Sequence, residues 1–173
     1  AQEGFSEALL ALGNQELAPR RADTLRFIEA ATEAQLPLQA ANLRCQTPGG
    51  AEAICDAVGT GPGGSPARII TRGPLRIGLL SVVDPSLPRT IAATNLRGIA
   101  IAAPEDMLPE QVAALRAQGA DVVIVQLHVA RPTSASVAMA FANEVEGIDL
   151  LVTSHSPVHR PRGEGGEDDA PAR

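Results

Sequence analysis

The segment Ala120–His128, ADVVIVQLH, constrains the fold more than any other part of the sequence. Its apolar residues run without alternation from Val122 to Val125 and on to Leu127, the pattern of a strand covered on both faces. Such a strand belongs inside a parallel sheet, and parallel strands need helical crossovers. The flanks supply them. Leu108–Gln118, LPEQVAALRAQ, reads as a helix closed by Gly119 at its C-terminal cap. Ser134–Glu144 reads as a second helix, with Ala138, Phe141 and Val145 on one side. GIAIAAP precedes the first helix as a short strand, and GIDLLVTSH follows the second as the next buried strand. Strand, helix, strand, helix, strand implies an α/β domain with parallel pairing in its second half.

Upstream, ARIITR and LRIGLLSVV look like a hairpin or a pair of neighbouring strands joined at Gly73-Pro74, and Asp84–Asn95 is a loop with prolines. Leu9–Leu12 reads as a short buried strand and LPLQAANL as another. Between them Arg21–Ala34 sets Leu25, Phe27, Ile28 and Thr32 on a helical period, so an amphipathic helix is expected. Thr47–Pro66 is rich in Gly and Pro and reads as a surface insertion. Its GTGPGG is only superficially like a phosphate loop, since no Lys-Ser/Thr follows and no helix starts there. Residues 1–157 are expected to form one domain, and residues 158–173, polar, acidic and Gly/Pro-rich, a disordered tail.

The chain has 173 residues, enough for one real core. Aromatic residues are 2% of it, with no Trp or Tyr, so the core must be built from Leu, Ile, Val and Ala and base-stacking platforms are excluded. All 14 basic residues are Arg, which removes lysine nucleophiles and a P-loop lysine from consideration. A formal charge of -6 disfavours nucleic acid and anionic membrane surfaces as partners. No apolar run approaches the roughly 20 residues that span a bilayer. AQEGFSEALL lacks the basic start and apolar stretch of a signal peptide; with no initiator Met, the chain is expected to begin after processing or truncation. Cys45 and Cys55 are either a disulfide, which would suit an exported protein, or two free thiols, and their spacing leaves both open. No CxxC or nearby His makes the pair a metal site.

In a sheet of this kind functional groups collect beyond the carboxyl ends of the strands. Three apolar strands end suggestively: Leu9–Leu12 in Gly13-Asn14, Val122–Leu127 in His128, and Leu150–Val152 in Thr153-Ser154-His155. If the strands are neighbours, Asn14, His128 and His155 bring one amide oxygen and two imidazoles to one point. That donor set suits a borderline divalent ion such as zinc, manganese or iron. A catalytic metal pair also needs carboxylates, one of them bridging. Taken singly each residue has a plainer role, a strand-end His as a hydrogen-bonded surface group and an Asn after Gly as a turn residue. His159, in the tail, is expected to be solvated.

LGNQEL, GADVVIVQLH and GIDLLVTSHSP resemble the later sequence blocks of the calcineurin-like metallophosphoesterases, in their 5'-nucleotidase branch. LQAANL and IGLLSVVDP fit the same branch, so the resemblance runs in order over about Leu9–Pro157. It implies part of a metallophosphoesterase-type α/β sandwich, mixed sheets flanked by helices, and a two-metal phosphoesterase acting on a nucleotide or other phosphoester. Asn14, His128 and His155 fall on ligands of the second metal. The departures are specific. The blocks Asp-x-His and Gly-Asp-x-x-Asp, which supply the first metal's ligands and the bridging Asp, do not precede Gly13 in this chain. Gln15 stands where the family has a His, Ser154 replaces a Gly, and Pro157 stands where the last metal-binding His would be. The expectation is a phosphoesterase-like domain impaired or inactive as this chain; the alternatives are a non-catalytic binding or structural descendant, or a truncated fragment. The branch is commonly exported, which implies a periplasmic or extracellular location.

Overall fold

The computed structural model describes residues 10–18, 20–46, 50–62, 64–128 and 145–154, with backbone alone at Leu10, Ala11, Asn14, Gln15 and Ser154. The expected Ser134–Glu144 helix, His155, Pro157 and the tail from residue 158 lie outside these residues. Two long apolar strands, β5 (Leu75–Val83) and β7 (Val122–His128), pair in parallel from Ile77 against Val122 to Val83 against His128. β4 (Ala67–Arg72) runs antiparallel to β5, completing the expected hairpin across Gly73-Pro74, and β8 (Leu150–Ser154) runs parallel to β7. The sheet order is β4-β5-β7-β8.

Strand alternation then sorts the side chains. Val123, Val125 and Leu127 of β7, with Leu80 and Val82 of β5, pack against Met107, Leu108, Val112 and Leu115 of helix α4 (Pro104–Ala117). Val83 lies in a second cluster with Leu12, Leu38, Leu43 and Ile54, on the side of helices α2 (Arg21–Glu33) and α3 (Glu52–Ala57). Two small sheets form that second side. β1 (Leu10–Ala11) pairs in parallel with β2 (Leu38–Gln39), and β3 (Leu43–Cys45) pairs antiparallel with β6 (Ile99–Ile101). The result is the mixed α/β arrangement expected from the sequence.

β4 last pairs with β5 at Ala67 against Leu80, which leaves the edge of Ser81–Val83 without a strand. Ala41 donates its N–H to the Ser81 carbonyl at 2.7 Å. The buried Asn42 side chain does the rest: Oδ1 accepts the Val83 N–H at 2.9 Å, and Nδ2 donates to the Val83 and Ala102 carbonyls at 2.7 and 2.9 Å. The Ser81 carbonyl and both backbone groups of Val83 thereby have partners, as burial demands.

Several expectations need correction. Within Thr47–Pro66 the loop description fits only the flanks, because Ala51, Ile54, Cys55 and Val58 are buried around α3 and close the second cluster. Short apolar residues at helical spacing outweigh the Gly and Pro around them. Cys45 and Cys55 form a disulfide, which ties α3 to β3. α4 starts at Pro104, four residues earlier than expected, with Pro at its first position where no N–H is needed, and it continues through Pro109. β6 belongs to the small antiparallel sheet, so the parallel neighbour of β7 is β5. β8 is an edge strand among the described residues. Its Leu151 packs on the α4 cluster, while Leu150 and Val152, on the other face, are 49% and 43% exposed, so it is not buried on both sides.

The amino ends of the parallel strands are dense with polar contacts. Asp149, just before β8, accepts the Val123 N–H and pairs with Arg116 of α4, both at 2.6 Å. Arg116 also donates to the Ala120, Asp121 and Gly147 carbonyls. The Val123 N–H, then the Arg116 guanidinium, hold the Asp149 carboxyl below the usual aspartate range. A carboxyl lowered on folding stabilises the fold above its unfolded value, near 4, and loses that contribution as pH falls through its folded value. Asp149→Asn should therefore lower the Tm at pH 7, with the difference from wild type shrinking below about pH 4; thermal melts from pH 7 to pH 2 check this. Asn42→Ala strands the two buried backbone groups of Val83 and the part-buried Ala102 carbonyl and should cost about 3 kcal/mol, read from urea unfolding.

Candidate functional site

The site begins at the turn between β1 and a single helical turn, α1 (Asn14–Leu17). Leu12 and Leu17, both fully buried, anchor the two sides of this turn. His128 ends β7 and is 7% exposed. It follows Leu127, so alternation turns its imidazole away from α4 and toward the small sheets. There it meets Gly13: a β-carbon on Gly13 would run into Cε1, Nδ1 and Nε2 of the His128 ring. Glycine is needed for this close approach.

The turn is held by three bonds. Glu16 Oε2 accepts the Gly13 N–H at 2.8 Å, the Leu17 N–H reaches the Gly13 carbonyl at 3.2 Å, and Thr24 Oγ1 of α2 donates to the Glu16 carbonyl at 2.8 Å. On the other flank of β7, Ser154 is the register partner of His128. The ends of β1, β7 and β8 thus lie side by side at one edge of the sheets. Of the three residues expected to hold a metal, His128 is in place against Gly13. Asn14 opens α1 immediately after that contact, its side chain outside those described. His155, one residue beyond Ser154, lies outside the described residues. Among the described residues no group of three or more His, Cys, Asp or Glu is arranged to hold a metal ion.

Two residues at this edge went unnoticed in the sequence. Asp84 follows β5 and is buried, donating its N–H to the His128 carbonyl at 2.9 Å and accepting the Ser86 N–H on Oδ1 at 2.7 Å. The strand-end rule that selects His128 applies equally to SVVDP and finds it. Glu16 is the other, and its signal is a Glu three residues after a turn residue. Among the described residues of the GTGPGG segment no anion cradle is formed, because the Thr60 and Gly61 N–H groups are both given to the Cys55 carbonyl at 2.9 and 3.0 Å. A cleft of about 500 Å³, lined by Gln35, Gln39, Asp56, Gly64 and Arg68 among others, shares no residue with the Gly13–His128 contact.

No family model matches the sequence, and no curated protein matches it. Solved structures do match. A 5'-nucleotidase precursor from Thermus thermophilus superposes with a TM-score of 0.61 at 18% identity, over 85% of this chain and 25% of that one. The calcineurin-like phosphoesterase YfkN from Bacillus subtilis gives 0.62 at 20% identity, over 84% and 43%. The fold is that of the calcineurin-like phosphoesterases. The NAD nucleotidase of Haemophilus influenzae shares it too, with a TM-score of 0.62 at 18% identity, over 84% of this chain and 23% of that one. The chain therefore spans between 23 and 43% of the length of these phosphoesterase structures.

The contact between the turn and the imidazole makes a specific prediction. Gly13→Ala should cost about 1–3 kcal/mol through overpacking. The same change in a His128→Ala background should cost clearly less, because the ring it strikes is gone. A double-mutant cycle by chemical unfolding measures the difference, and additivity would contradict the contact.

Proposed function

We propose that this chain is a metallophosphoesterase-type domain of the nucleotidase class with a site for one divalent ion, and that the 173-residue chain does not itself turn over phosphoesters. The observation that carries this reading is the close approach of the Gly13-Asn14 turn to His128, at the end of the sheet where strands of this fold deliver ligands. Asn14, His128 and His155 would hold the ion, an amide oxygen and two imidazoles that suit zinc, manganese or iron. The donor set fits a single ion, and the lack of a β-carbon at Gly13 is what lets the turn lie directly against the His128 ring. A divalent ion supplies Lewis-acid stabilisation of a phosphoryl oxygen when bound.

The chain's own residues argue against turnover. Gln15 donates a hydrogen bond but carries no transferable proton, so the position next to Asn14 offers no general acid. Pro157, two residues after His155, has no ligating side chain. These same two residues favour a second reading, a binding or structural descendant of the fold that holds a nucleotide or another phosphoester without cleaving it. The Cys45–Cys55 disulfide supports a periplasmic or extracellular location, where such bonds persist.

Calorimetric titration with Mn²⁺ or Zn²⁺ should find one equivalent bound. His128→Ala should weaken binding at least about tenfold. Wild-type chain given nucleoside monophosphates and either metal should release no phosphate above the protein-free rate. Turnover that disappears in Asn14→Ala would overturn the inactive reading, and equal metal affinity in His128→Ala would overturn the site.

A further inference from the structure

We infer that Glu16 is a positioning residue, whose carboxylate locks the Gly13-Asn14 turn against the His128 imidazole; as a statement about metal binding this rests on the site proposed above. α1 is only four residues long and cannot stabilise itself, because a first helical turn fixes several residues for little hydrogen-bonding return. A short helix of this kind usually takes its order from a Ser, Thr, Asp or Asn at its N-cap. Gly13 occupies that position and can carry no side chain, since any β-carbon there would strike the His128 ring. The requirement for contact with the imidazole therefore removes the ordinary capping group.

Glu16, at the third helical position, supplies the substitute. Its Oε2 reaches back to the Gly13 N–H at 2.8 Å, which is the carboxylate half of a capping box with no reciprocal half. The backbone of Glu16 is itself held, its carbonyl accepting the Thr24 hydroxyl at 2.8 Å from α2. With Leu12 and Leu17 buried on either side, the carboxylate fixes the one part of the turn that packing does not, the peptide plane between Leu12 and Gly13. Asn14 follows one residue later as the first residue of α1, so that bond also sets where its backbone leaves the Gly13 contact. A bare glutamate on a solvated turn would have no such consequence.

The test uses the full chain and needs no metal for its first half. Glu16→Ala and Glu16→Met, the latter with similar reach and no acceptor, should speed hydrogen exchange of the Gly13 amide about tenfold and move the His128 Cε1–H resonance. Glu16→Gln, which keeps an acceptor oxygen, should restore both toward wild type. Ile28→Val in α2, a mild core destabilisation, should leave both signals in place and so separates positioning from general loosening. In the second half, Zn²⁺ affinity should fall about tenfold in Glu16→Ala and Glu16→Met and recover in Glu16→Gln. Wild-type exchange and resonance in both Glu16→Ala and Glu16→Met would overturn the inference, as would failure of Glu16→Gln to restore them. Zn²⁺ binding that is absent, or unchanged by His128→Ala, would instead overturn the metal site, and the exchange and resonance data would still decide the role of Glu16.

Discussion

Where β4 stops, the central sheet has three residues of open edge, and the buried amide of Asn42 closes it by acting as donor and acceptor toward Val83. Much else depends on this closure. Nδ2 also reaches the Ala102 carbonyl, and the Asn42 carbonyl accepts the Ala102 N–H at 2.8 Å, so the exit of β6 is fixed just before α4 begins. β2 leads directly into Ala41 and Asn42, which holds β2 beside β5. β1 pairs with β2, and the Leu12 N–H continues that pairing to the Gln39 carbonyl at 3.0 Å. The position of Gly13 over His128 is thus the far end of a chain of hydrogen bonds that starts at one amide. Gln39 makes a useful contrast: equally buried, it has neither side-chain amide atom hydrogen-bonded among the described residues, a cost of about 1–3 kcal/mol that the surrounding apolar packing must offset.

The parts of the fold legible in the sequence are those where a local period coincides with burial. β7 is apolar except for Gln126 and its terminal His128, as befits a strand paired on both edges, and its bounds follow from where the apolar run starts and stops. α2 is legible as a helix from the spacing of Leu25, Phe27 and Ile28, although its buried face is Thr24, Ile28 and Ala31 and Thr32 is exposed. The parallel relation of β7 and β8 follows from their both being apolar and separated by a crossover. What the sequence hides is partnership at a distance. Nothing in GIAIAAP distinguishes a strand that joins the large sheet from one that pairs with Leu43–Cys45. α3 hides for a different reason, since six residues give too few turns to show a period and the flanking Gly and Pro dominate the eye. Leu150 and Val152 look as buried as their neighbours because edge and centre strands share the same residue types.

The site was partly legible for the same reason. Strand ends can be read from where apolar runs stop, which selects His128 and the Gly13-Asn14 turn. Asp84 stops a run too, but the prolines after it make the segment read as a loop, and its adjacency to His128 exists only through the β5–β7 register. Glu16 is invisible to a search for chemistry because its work is local: the carboxylate is spent on a backbone N–H. The glycine before Asn14 looks like an ordinary turn residue until the imidazole beside it is seen. Its constraint comes from a side chain more than a hundred positions away in the chain, and no spacing rule can anticipate that.

The two ends of the parallel sheet divide their labour, and this explains how the fold keeps its shape while the motif residues change. At the amino end Arg116 and Asp149 tie α4, β7 and β8 together, and Arg76 donates to the Gln118 and Gly119 carbonyls while its N–H is accepted by Asp121. These bonds, with the α4 cluster, hold the sheet at its amino end, while toward the carboxyl end Asn42 closes the edge at Val83. Beside His128 the turn asks for little: a glycine that admits the imidazole, a carboxylate that caps the turn, and buried leucines that anchor it. A glutamine at position 15 or a proline at position 157 violates none of those demands. The strand ends can therefore change in sequence and still hold the same turn against the same imidazole, because the contacts that do so are the glycine, the carboxylate and the two leucines.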